Sequence, residues 1–335
     1  MSRINVSADQ LVELICTILV AHNTSPANAH EVALALVAAE IDGQTGHGLS
    51  RVAAYAAQAK SGKVQGWATP TVQQTAPAVL VVDGHYGFAY PALSLAVEEL
   101  AQLTVTTGIA VAAVTHSHHC GLAGYHAEKL ARKGLIGLVF SNTPKAIAPW
   151  GGREAVFGTN PIAFAAPRRQ SDPLVIDLSL SKVARGKINV AAEKGQQIPE
   201  GWALDCQGKS TTDPKLAMAG TMLPMGDAKG AALVLMVEIL AAALTSSHFG
   251  FEASSFFEAE GDSPNIGQLL IAIAPGPVSA GGYASRIEAL LHAILVQEGT
   301  RLPGSGKSSL RNAVKNAGLN IDRAVFHVLT GLQQG

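Results

Sequence analysis

The chain has 335 residues, of which 48 % are hydrophobic and 15 % charged. This composition excludes disorder as the dominant state, because disordered chains combine low hydrophobicity with high net charge. The 24 lysines and arginines nearly balance the 25 aspartates and glutamates, so no basic field points to nucleic acid as a partner. The small charged fraction also suggests that an oligomer covers part of the surface.

The cysteines and the apolar segments indicate the compartment. Cys16, Cys120 and Cys206 form an odd and sparse set, which is typical of a reducing compartment and not of a disulfide scaffold. Residues 1–10 contain no apolar run of the kind found in signal peptides. The longest apolar stretch, residues 231–244, is shorter than the roughly 20 residues of a membrane span. We expect a cytoplasmic protein that does not interact with membranes.

The first 65 residues predict a set of helices. Apolar residues at helical spacing predict a helix over 8–22, and similar patterns predict two more over 27–42 and 51–62. Ser25 is expected to cap the second helix, with Pro26 in its first turn.

Short apolar runs then alternate with helical patterns, which is typical of an α/β architecture. The predicted strands cover residues 78–82, 109–114, 135–140, 161–166, 174–178 and 268–274. The predicted helices cover residues 91–107, 122–133, 227–245, 283–297, 308–317 and 320–333. Asp227 is expected to cap the helix that starts there. We therefore predict a helical domain formed by residues 1–70 and 283–335, and an α/β cofactor- and substrate-binding region over residues 71–282.

No G-x-G-x-x-G sequence follows a predicted strand, so the usual dinucleotide-binding fingerprint is missing. The segment PGSGKS (303–308) resembles a P-loop, but Arg301 stands where that motif requires glycine. A predicted helix precedes the segment, so it does not predict nucleotide hydrolysis. A glycine-rich loop with Arg301 and Lys307 before a helix can still bind a phosphate. The alternative is a basic turn between two helices.

Four of the 11 histidines lie between residues 116 and 126, directly after a predicted buried strand. The carboxyl end of a strand is where α/β proteins bind ligands, and imidazole exchanges protons near neutral pH. His116, His118 and Cys120 alternate along the chain and would suit a zinc site on one face of a strand, but no matching ligand pair occurs elsewhere in the sequence. We therefore expect no metal, and a structural role for each single histidine stays open.

Another histidine lies in the segment DGQTGHGLSR, residues 42–51. The glycines beside His47 leave its ring accessible, and Arg51 follows four residues later. A histidine and an arginine at a glycine turn can hold a carboxylate, with the guanidinium as a bidentate clamp. The alternative is a capped loop with a surface salt bridge.

Eight segments, in order and spread over nearly the whole chain, carry a resemblance to a known family. They are DGQTGHGLSR (42–51), SHHCGLAGY (117–125), PWGGREAVFGTNPIAFAAP (149–167), DPLVIDLSLSKVARGKI (172–188), IPEGWALD (198–205), TTDP (211–214), GDAKGAALVLMVE (226–238) and RLPG (301–304). Together they resemble the type-2 malate/L-lactate dehydrogenase family, also described as sulfolactate-dehydrogenase-like.

The resemblance implies an α/β fold of the sulfolactate-dehydrogenase-like type, with a non-Rossmann nicotinamide-binding sheet domain and a helical N- and C-terminal arm. It implies an NAD(P)H-dependent oxidoreductase that transfers hydride between the cofactor and a small 2-oxo or 2-hydroxy acid of the malate, lactate or sulfolactate type. The alternative within the family is a reductase of the cyclic imino acids Δ1-piperideine-2-carboxylate and Δ1-pyrroline-2-carboxylate. The resemblance also implies a homodimer with the active site near the subunit boundary.

The resemblance further implies the residues of the site. His119 and His47 are expected to be catalytic, and Arg51 and His47 to bind the substrate. We favour His119 as the acid/base because it follows a strand end, with His47 orienting the substrate, although the reverse assignment stays open. Cofactor contacts are expected from His119, Asp177, Leu178, Ser179, Lys229, Arg301, Pro303, Gly304 and Lys307. Because arginine suits a 2′-phosphate, NADP(H) is favoured over NAD(H).

Two positions depart from the pattern of the imine-reducing members. Gly46 stands where the family has a serine beside the histidine, and Lys187 stands where imine reductases have an acidic residue. These departures favour the 2-hydroxy-acid branch, whereas the segment FGFEASSFFEAEG (249–261) resembles both branches, so the choice stays open. A metal-dependent lyase or hydrolase and a non-catalytic relative are the alternatives outside oxidoreductase chemistry.

Overall fold

The structure is a computed structural model that describes residues 3–333. Its helices are α1 (Ala8–Ala21), α2 (Pro26–Ile41), α3 (Val52–Ser61), α4 (Ala89–Thr107), α5 (Ala123–Arg132), α6 (Arg185–Glu193), α7 (Pro214–Ala219), α8 (Asp227–Glu238), α9 (Pro275–Val278), α10 (Tyr283–Leu295), α11 (Ser305–Ala317) and α12 (Arg323–Leu332). Its strands are β1 (Arg3–Val6), β2 (Thr71–Ala76), β3 (Val79–Asp83), β4 (Ile109–Ser117), β5 (Ile136–Ser141), β6 (Ile162–Ala166), β7 (Leu174–Leu178), β8 (Ala203–Leu204), β9 (Thr221–Met222), β10 (Ile266–Ile273) and β11 (Leu319–Asp322).

The N-terminal helices form for the local reasons that the sequence suggests. The Ser25 hydroxyl accepts a hydrogen bond from the Asn28 amide, and Pro26 is the first residue of α2, which confirms that cap. In α1, apolar side chains at helical spacing face the first of three cores. The same core includes Tyr55 of α3 and Phe88 and Tyr90 at the start of α4, so this helical layer reaches the sheet where α4 begins.

The central sheet has seven strands in the order β2-β3-β4-β10-β5-β6-β7. Only β3 and β4 pair in parallel, and the other five pairings are antiparallel. This order confirms an α/β sheet domain that is not a doubly wound parallel sheet, which is why the glycine fingerprint has no place in it. Helices α4 and α5 cover one face of the sheet, and α8 with the residues after it covers the other.

The two ends of the described chain meet. Strand β1 pairs antiparallel with β11, and α12 packs against α1 and α3. The prediction of one helix over 320–333 is therefore wrong at its start, because Leu319–Asp322 pairs with β1 before α12 begins. The helix predicted over 308–317 begins earlier, at Ser305.

The helix predicted over 227–245 also differs in detail. Gly226 occupies the cap position, Asp227 is the first helical residue, and no side chain caps the helix. Both residues adopt positive φ angles. The α-helix ends at Glu238, and a π-helical turn, Ile239–Ala243, continues it. Among residues 3–333, no helix has the length and apolarity needed to cross a membrane.

Candidate active site

His119 lies in the turn that follows β4, at the junction of the sheet and the helical layer. Strand β4 ends at Ser117, and the turn passes through Gly121 at φ +67° before α5 begins. A Cβ atom on Gly121 would lie 2.6 Å from the Tyr90 hydroxyl oxygen, so only glycine allows the tyrosine to approach this closely. The turn leaves the His119 side chain buried, with 4 % of the residue exposed.

Two buried tyrosines hold the ring of His119. The Tyr55 hydroxyl lies 2.6 Å from His119 Nδ1 and 3.2 Å from the Tyr90 hydroxyl. Burial raises the pKa of Tyr55 to about 12 and that of Tyr90 well above its ordinary value, so both stay protonated at neutral pH. With Nδ1–H donating to the Tyr55 hydroxyl oxygen and that hydroxyl donating to Tyr90, the neutral imidazole leaves Nε2 unprotonated and able to accept a proton.

His47 and Arg51 reach the same place from the segment between α2 and α3. This segment forms two short 3₁₀ turns, Thr45–His47 and Leu49–Arg51, and α3 follows directly, one residue after the predicted start at 51. The His47 ring stacks on His119 with ring centroids 5.3 Å apart and an interplanar angle of 24°. The Arg51 Nε donates to the Gly46 carbonyl at 2.7 Å, so the turn fixes the guanidinium beside the two rings.

Two atoms of this cluster are buried without a hydrogen-bond partner among the described residues. They are Nδ1 of His47 and Nη1 of Arg51. Arg51 also makes no ion pair within the described chain, so the surface salt bridge considered from the sequence does not form. A buried guanidinium nitrogen without an acceptor is costly unless a ligand supplies one.

Phenylalanines from a distant segment cover the cluster. The Phe256 ring lies 4.8 Å from the His119 ring and 5.3 Å from the His118 ring, centroid to centroid. The Arg51 guanidinium carbon lies 4.5 Å from the centre of the Phe257 ring. A guanidinium with an aromatic ring on its face keeps its edge for planar acceptors such as carboxylates.

The electrostatics of the site keep its histidines neutral. Burial and, as the second cause, the positive charge of Arg51 together lower the pKa of His47 to about 4. Burial lowers the pKa of His118 to about 3 and that of His119 well below its ordinary range, with Arg51 again contributing to both. At neutral pH these rings are therefore uncharged, which is the state that a proton acceptor requires.

The remaining histidines of the 116–126 cluster are dispersed. His116 has φ +47° and its Nδ1 lies 3.0 Å from an Asp83 carboxylate oxygen, on the sheet edge. His118 and Cys120 lie beyond the end of β4, so these two residues and His116, which were considered as zinc ligands, do not share one face of a strand. Within residues 3–333, no group of three or more histidine, cysteine, aspartate or glutamate side chains is arranged to hold a metal ion.

The predicted cofactor segment Asp177-Leu178-Ser179 ends β7 beside the histidine turn. The Asp177 carboxylate accepts a hydrogen bond from the Gly124 amide at 2.9 Å, at the start of α5. Burial raises the pKa of Asp177. Leu178 is half-exposed, and Ser179 lies 2.8 Å from the Ser181 hydroxyl. The strand end is thus joined to the turn that carries His119.

The late basic loop forms a cradle against β7. Residues 301–306 line an open cavity of about 320 Å³, and α11 begins directly after Gly304. A Cβ atom on Gly304, which has φ +73°, would lie 3.0 Å from the Val175 carbonyl, so glycine keeps the loop close to the strand. Arg301 and Pro303 are exposed at the mouth of this cavity. A glycine loop before a 13-residue helix suits a phosphate group.

Lys307 has a partner of its own. Its Nζ lies 3.3 Å from the Asp42 carboxylate, and Arg311 donates to both Asp42 and Glu128. The network ties α11 to the segment that carries His47 and to α5. Lys307 is thus anchored to a buried carboxylate at the base of the loop, while Arg301 stays exposed.

Three further positions singled out from the sequence are exposed. Lys229 is exposed in the first turn of α8, whose preceding loop pairs with residues 180–182 after the cofactor segment. Gly46 has open space where a Cβ atom would lie, and Lys187 is exposed on α6.

The structure also brings in residues that sequence reasoning missed. Tyr55, Tyr90 and Phe256 contact His119 or the tyrosine that holds it, and Phe257 contacts Arg51. One signal was available for Tyr55, because it lies four residues after Arg51 in a helical pattern. Phe256 lies 137 residues after His119, and Phe257 lies 206 residues after Arg51, beyond any spacing rule.

Comparison with known proteins agrees with this arrangement. The sequence profile of the family described as malate/L-lactate dehydrogenase matches residues 6–330. The chain belongs to this family. It is 53 % identical over 301 residues to the (2R)-3-sulfolactate dehydrogenase (NADP(+)) of Chromohalobacter salexigens, covering 90 % of each chain. It is 39 % identical over 319 residues to the Delta(1)-pyrroline-2-carboxylate/Delta(1)-piperideine-2-carboxylate reductase of Pseudomonas putida, covering 95 % of this chain and 94 % of the other.

Solved structures show the same fold. The delta1-piperideine-2-carboxylate reductase from Pseudomonas syringae pvar. tomato superposes with a TM-score of 0.93 at 37 % identity, covering 98 % of this chain and 99 % of that one. The sulfolactate dehydrogenase from Methanocaldococcus jannaschii gives 0.91 at 30 % identity, covering 99 % and 97 %. The chain is therefore an oxidoreductase with the sulfolactate-dehydrogenase-type fold, as the resemblance of its segments indicated.

Proposed function

We propose that the chain interconverts a small 2-oxo acid and its 2-hydroxy acid with NADP(H), and that the substrate is of the sulfolactate type. The observation that carries the proposal is the stack of His47 on His119 beside a guanidinium whose Nη1 is buried without a partner. This cluster offers a proton-transfer group and a carboxylate clamp side by side, which is what the α-carbon of a 2-oxo acid requires.

Arg51 is proposed to bind the substrate carboxylate. Its Nε is already committed to the Gly46 carbonyl, and Phe257 lies on its face, so the remaining edge is available to a ligand. A carboxylate there would satisfy the buried Nη1 and place the reacting carbon next to the two imidazoles.

His119 is proposed to exchange the proton of the reacting oxygen through Nε2, with His47 orienting the substrate. The Tyr55 hydroxyl fixes Nδ1, and ring stacking on His47 fixes the plane. In the oxidation direction the neutral ring accepts the hydroxyl proton, and in the reduction direction the protonated ring returns it.

Substrate binding is proposed to prepare the ring for reduction. The charge of Arg51 is among the causes that hold the pKa of His47 and His119 low. A carboxylate paired with Arg51 cancels that charge, so the pKa of the neighbouring imidazoles rises when the substrate binds. Proton uptake is then coupled to substrate binding.

The nicotinamide cofactor, when bound, supplies or accepts the hydride. The residues proposed to hold it are His119 of the histidine turn, the strand end Asp177-Leu178-Ser179, Lys229, and the loop from Arg301 through Pro303 and Gly304 to Lys307. The glycine cradle at the start of α11 suits a phosphate, and exposed Arg301 suits a 2′-phosphate. The Chromohalobacter relative is named for NADP(+), which supports NADP(H) over NAD(H).

Reduction of cyclic imino acids is the second candidate. The pyrroline- and piperideine-carboxylate reductases are similar over almost the whole chain, and their substrates also carry a carboxylate beside the reacting carbon. Gly46 and Lys187 weigh against this candidate, because each replaces the residue type that imine-reducing members use.

The deciding experiment is a panel of acceptors assayed by loss of NADPH absorbance. We expect kcat/KM for 3-sulfopyruvate to exceed that for Δ1-piperideine-2-carboxylate by about tenfold or more, with oxaloacetate and pyruvate between them. A higher kcat/KM for the cyclic imine would overturn the proposal. The variant Gly46→Ser/Lys187→Asp is the matched test, because position 46 has room for a side chain. We expect it to gain imine reduction relative to the wild-type chain.

A homodimer is proposed as the assembly, with the active site near the subunit boundary. Apolar residues are exposed along α8 and the π-helical turn, where a second copy would bury them. They are Leu233, Leu235, Met236, Ile239 and Leu244. Sedimentation analysis tests the assembly: a dimer is expected, and Leu235→Glu/Ile239→Glu is expected to shift it to monomer.

The division of the chain and its compartment are proposed as well. Residues of the N-terminal helices share one core with Leu319, Ile321 and Leu329, which supports the last part of a proposed helical domain of residues 1–70 and 283–335 beside the α/β region 71–282. The three cysteines form no disulfide in the described structure, in keeping with a cytoplasmic protein.

A further inference from the structure

Lys63, at the end of the turn that follows α3, is a buried ammonium group. Only 3 % of the residue is exposed. Its Nζ donates to the carbonyl oxygens of Ser255, Glu258 and Glu260 at 2.8, 3.1 and 3.2 Å. A lysine ammonium has three N–H donors, so all three are used, and all three acceptors come from one stretch of chain.

That stretch, residues 254–263, is called here the phenylalanine segment. Besides Lys63, Gln58 Nε2 donates to the Glu258 carbonyl at 2.9 Å, and the Ser61 hydroxyl donates to the Ala259 carbonyl at 2.6 Å. The segment has no helix or strand of its own. Its backbone is therefore held by side chains at the end of α3 and the turn after it, and the ammonium makes most of these bonds.

Burying a charge is costly unless hydrogen bonds replace its hydration. Three carbonyl oxygens replace this hydration only while the phenylalanine segment keeps the conformation that aims them at Nζ. The ammonium group and the conformation of the segment therefore stabilise each other.

The segment carries the two rings that cover the catalytic cluster. Phe256 lies against His118 and His119, and Phe257 lies over the guanidinium of Arg51. Both residues fall between the Ser255 and Glu258 carbonyls that Lys63 holds. Any loosening of these carbonyls moves the rings.

We propose that Lys63 is a positioning residue, which holds the phenylalanine segment so that Phe256 and Phe257 wall the substrate site. This inference rests on the proposed function, since it takes Arg51 and the paired histidines as the place where the substrate binds. Lys63 touches neither substrate nor cofactor; it acts through the two rings. Phe257 sets the orientation of the Arg51 edge, so the clamp on the substrate carboxylate depends on Lys63.

The test uses the full-length variant Lys63→Met, which keeps a linear apolar stem and removes the ammonium. Its matched control is Lys60→Met, because Lys60 is an exposed lysine in the last turn of α3, three residues before Lys63. Hydrogen exchange of the amides in residues 254–263 is measured first. We expect exchange to become about tenfold faster or more in Lys63→Met, because the equilibrium constant for local opening of the segment rises by the same factor. In Lys60→Met we expect the wild-type exchange rate.

Steady-state kinetics then separate a positioning role from general damage. We expect the KM for the acceptor to rise about tenfold while kcat and the dissociation constant of NADPH stay near wild type. The variant Phe257→Ala should raise KM in the same way, and Lys63→Met should add little to it, because the two changes act on one contact.

Unchanged exchange in the segment, an unchanged KM, or fully additive effects of Lys63→Met and Phe257→Ala would each overturn the inference. Failure of the proposed function gives a different pattern. In that case no 2-oxo acid of the panel is reduced by the wild-type chain. The exchange experiment still tests whether the hydrogen bonds of Lys63 hold the phenylalanine segment. KM is then measured with whichever acceptor the wild-type chain reduces.

Discussion

Tyr55 connects the helical layer to His119, the proposed acid/base. It belongs to the core of α1, α2 and α3, and its hydroxyl reaches His119 Nδ1. Because Tyr90 bonds to the far side of that hydroxyl, the imidazole is oriented by a buried chain of two phenols. A ring held this way keeps one tautomer and one plane, which proton transfer to a fixed oxygen requires.

The variant Tyr55→Phe is expected to lower kcat about tenfold with little change in the KM for the acceptor, since one hydrogen bond that orients the ring is lost. Tyr90→Phe is the matched control, because its hydroxyl bonds to Tyr55 and not to the imidazole. We expect the control to lose less than about threefold. Steady-state kinetics with saturating NADPH measure both. A larger loss of kcat in Tyr90→Phe than in Tyr55→Phe would contradict the view that Tyr55 orients the His119 ring.

The two histidines are expected to respond differently to removal. His119→Ala should lower kcat by about 10²–10⁴-fold, the usual loss when a general acid is removed, because no other imidazole is oriented on the reacting oxygen. His47→Ala should mainly raise the KM for the acceptor. Turnover is measured at saturating acceptor and NADPH, with circular dichroism as the check on folding. Near-normal kcat in His119→Ala together with loss of turnover in His47→Ala would reverse the assignment and favour the imine reductase.

At the scale of elements, four segments at the ends of helices and strands contribute side chains to the site. They are the turn after β4, the 3₁₀ turns before α3, the end of β7 and the loop before α11. Arg311 ties the second and fourth of these together through Asp42, at 2.7 Å for both of its hydrogen bonds. Glu128, which is also bound to Arg311, joins α5 to the same network.

The loop before α11 is where cofactor selectivity is expected to reside. Arg301→Ala should raise the KM for NADPH about tenfold and leave that for NADH nearly unchanged, because a 2′-phosphate loses a charged partner. Arg323→Ala, an exposed arginine on α12, serves as the control. Initial rates at varied NADPH and NADH measure the effect. An equal rise for both cofactors would place Arg301 on the pyrophosphate instead.

The sequence was sufficient for the elements with strong local signals. Ser25 and Pro26 predict the start of α2, and apolar runs predict β3, β4 and β7 to within a few residues, because these signals act between neighbours. Strands β1 and β11 were missed, since four-residue strands at opposite ends of the chain pair only through tertiary contact. Asp227 was misjudged as a cap because the positive φ of Gly226 starts that helix.

The same limit applies to the site. His47, Arg51 and His119 stand in local motifs, and the sequence could single them out. Lys63 could not be found this way, because its partners lie about 190 residues further along the chain and are backbone carbonyls, which any sequence supplies.

At the scale of the whole molecule, buried neutral histidines make stability depend on pH. Burial lowers the pKa of His118 and His126 to about 3 in the folded chain, against an ordinary value of 6.5. Between these values the unfolded chain binds more protons than the folded one. The contribution of each such histidine to the free energy of unfolding is therefore fully present above about pH 6.5. It falls by about 1.4 kcal/mol per pH unit as the pH drops toward 3.

His126→Gln is expected to flatten this acid dependence. Glutamine does not titrate and offers an amide donor for the Cys120 carbonyl, to which His126 Nε2 bonds at 2.9 Å. The measurement is thermal unfolding of both proteins from pH 7 to pH 4, with His327→Gln, an exposed histidine on α12, as the control. Curves of wild type and His126→Gln that run parallel over this range would contradict the sign worked out here.

The central claim is that one site holds the acceptor between Arg51 and His119 while the loop before α11 holds the cofactor. The crystal structure of the chain with NADP⁺ and a 2-oxo acid tests it most directly, because these two oxidised ligands bind without reacting. We predict the carboxylate on the Arg51 edge, the 2-oxo oxygen within hydrogen-bond distance of His119 Nε2, and a cofactor phosphate at Arg301 and Gly304. A carboxylate bound away from Arg51, with His119 Nε2 facing no ligand atom, would contradict the account.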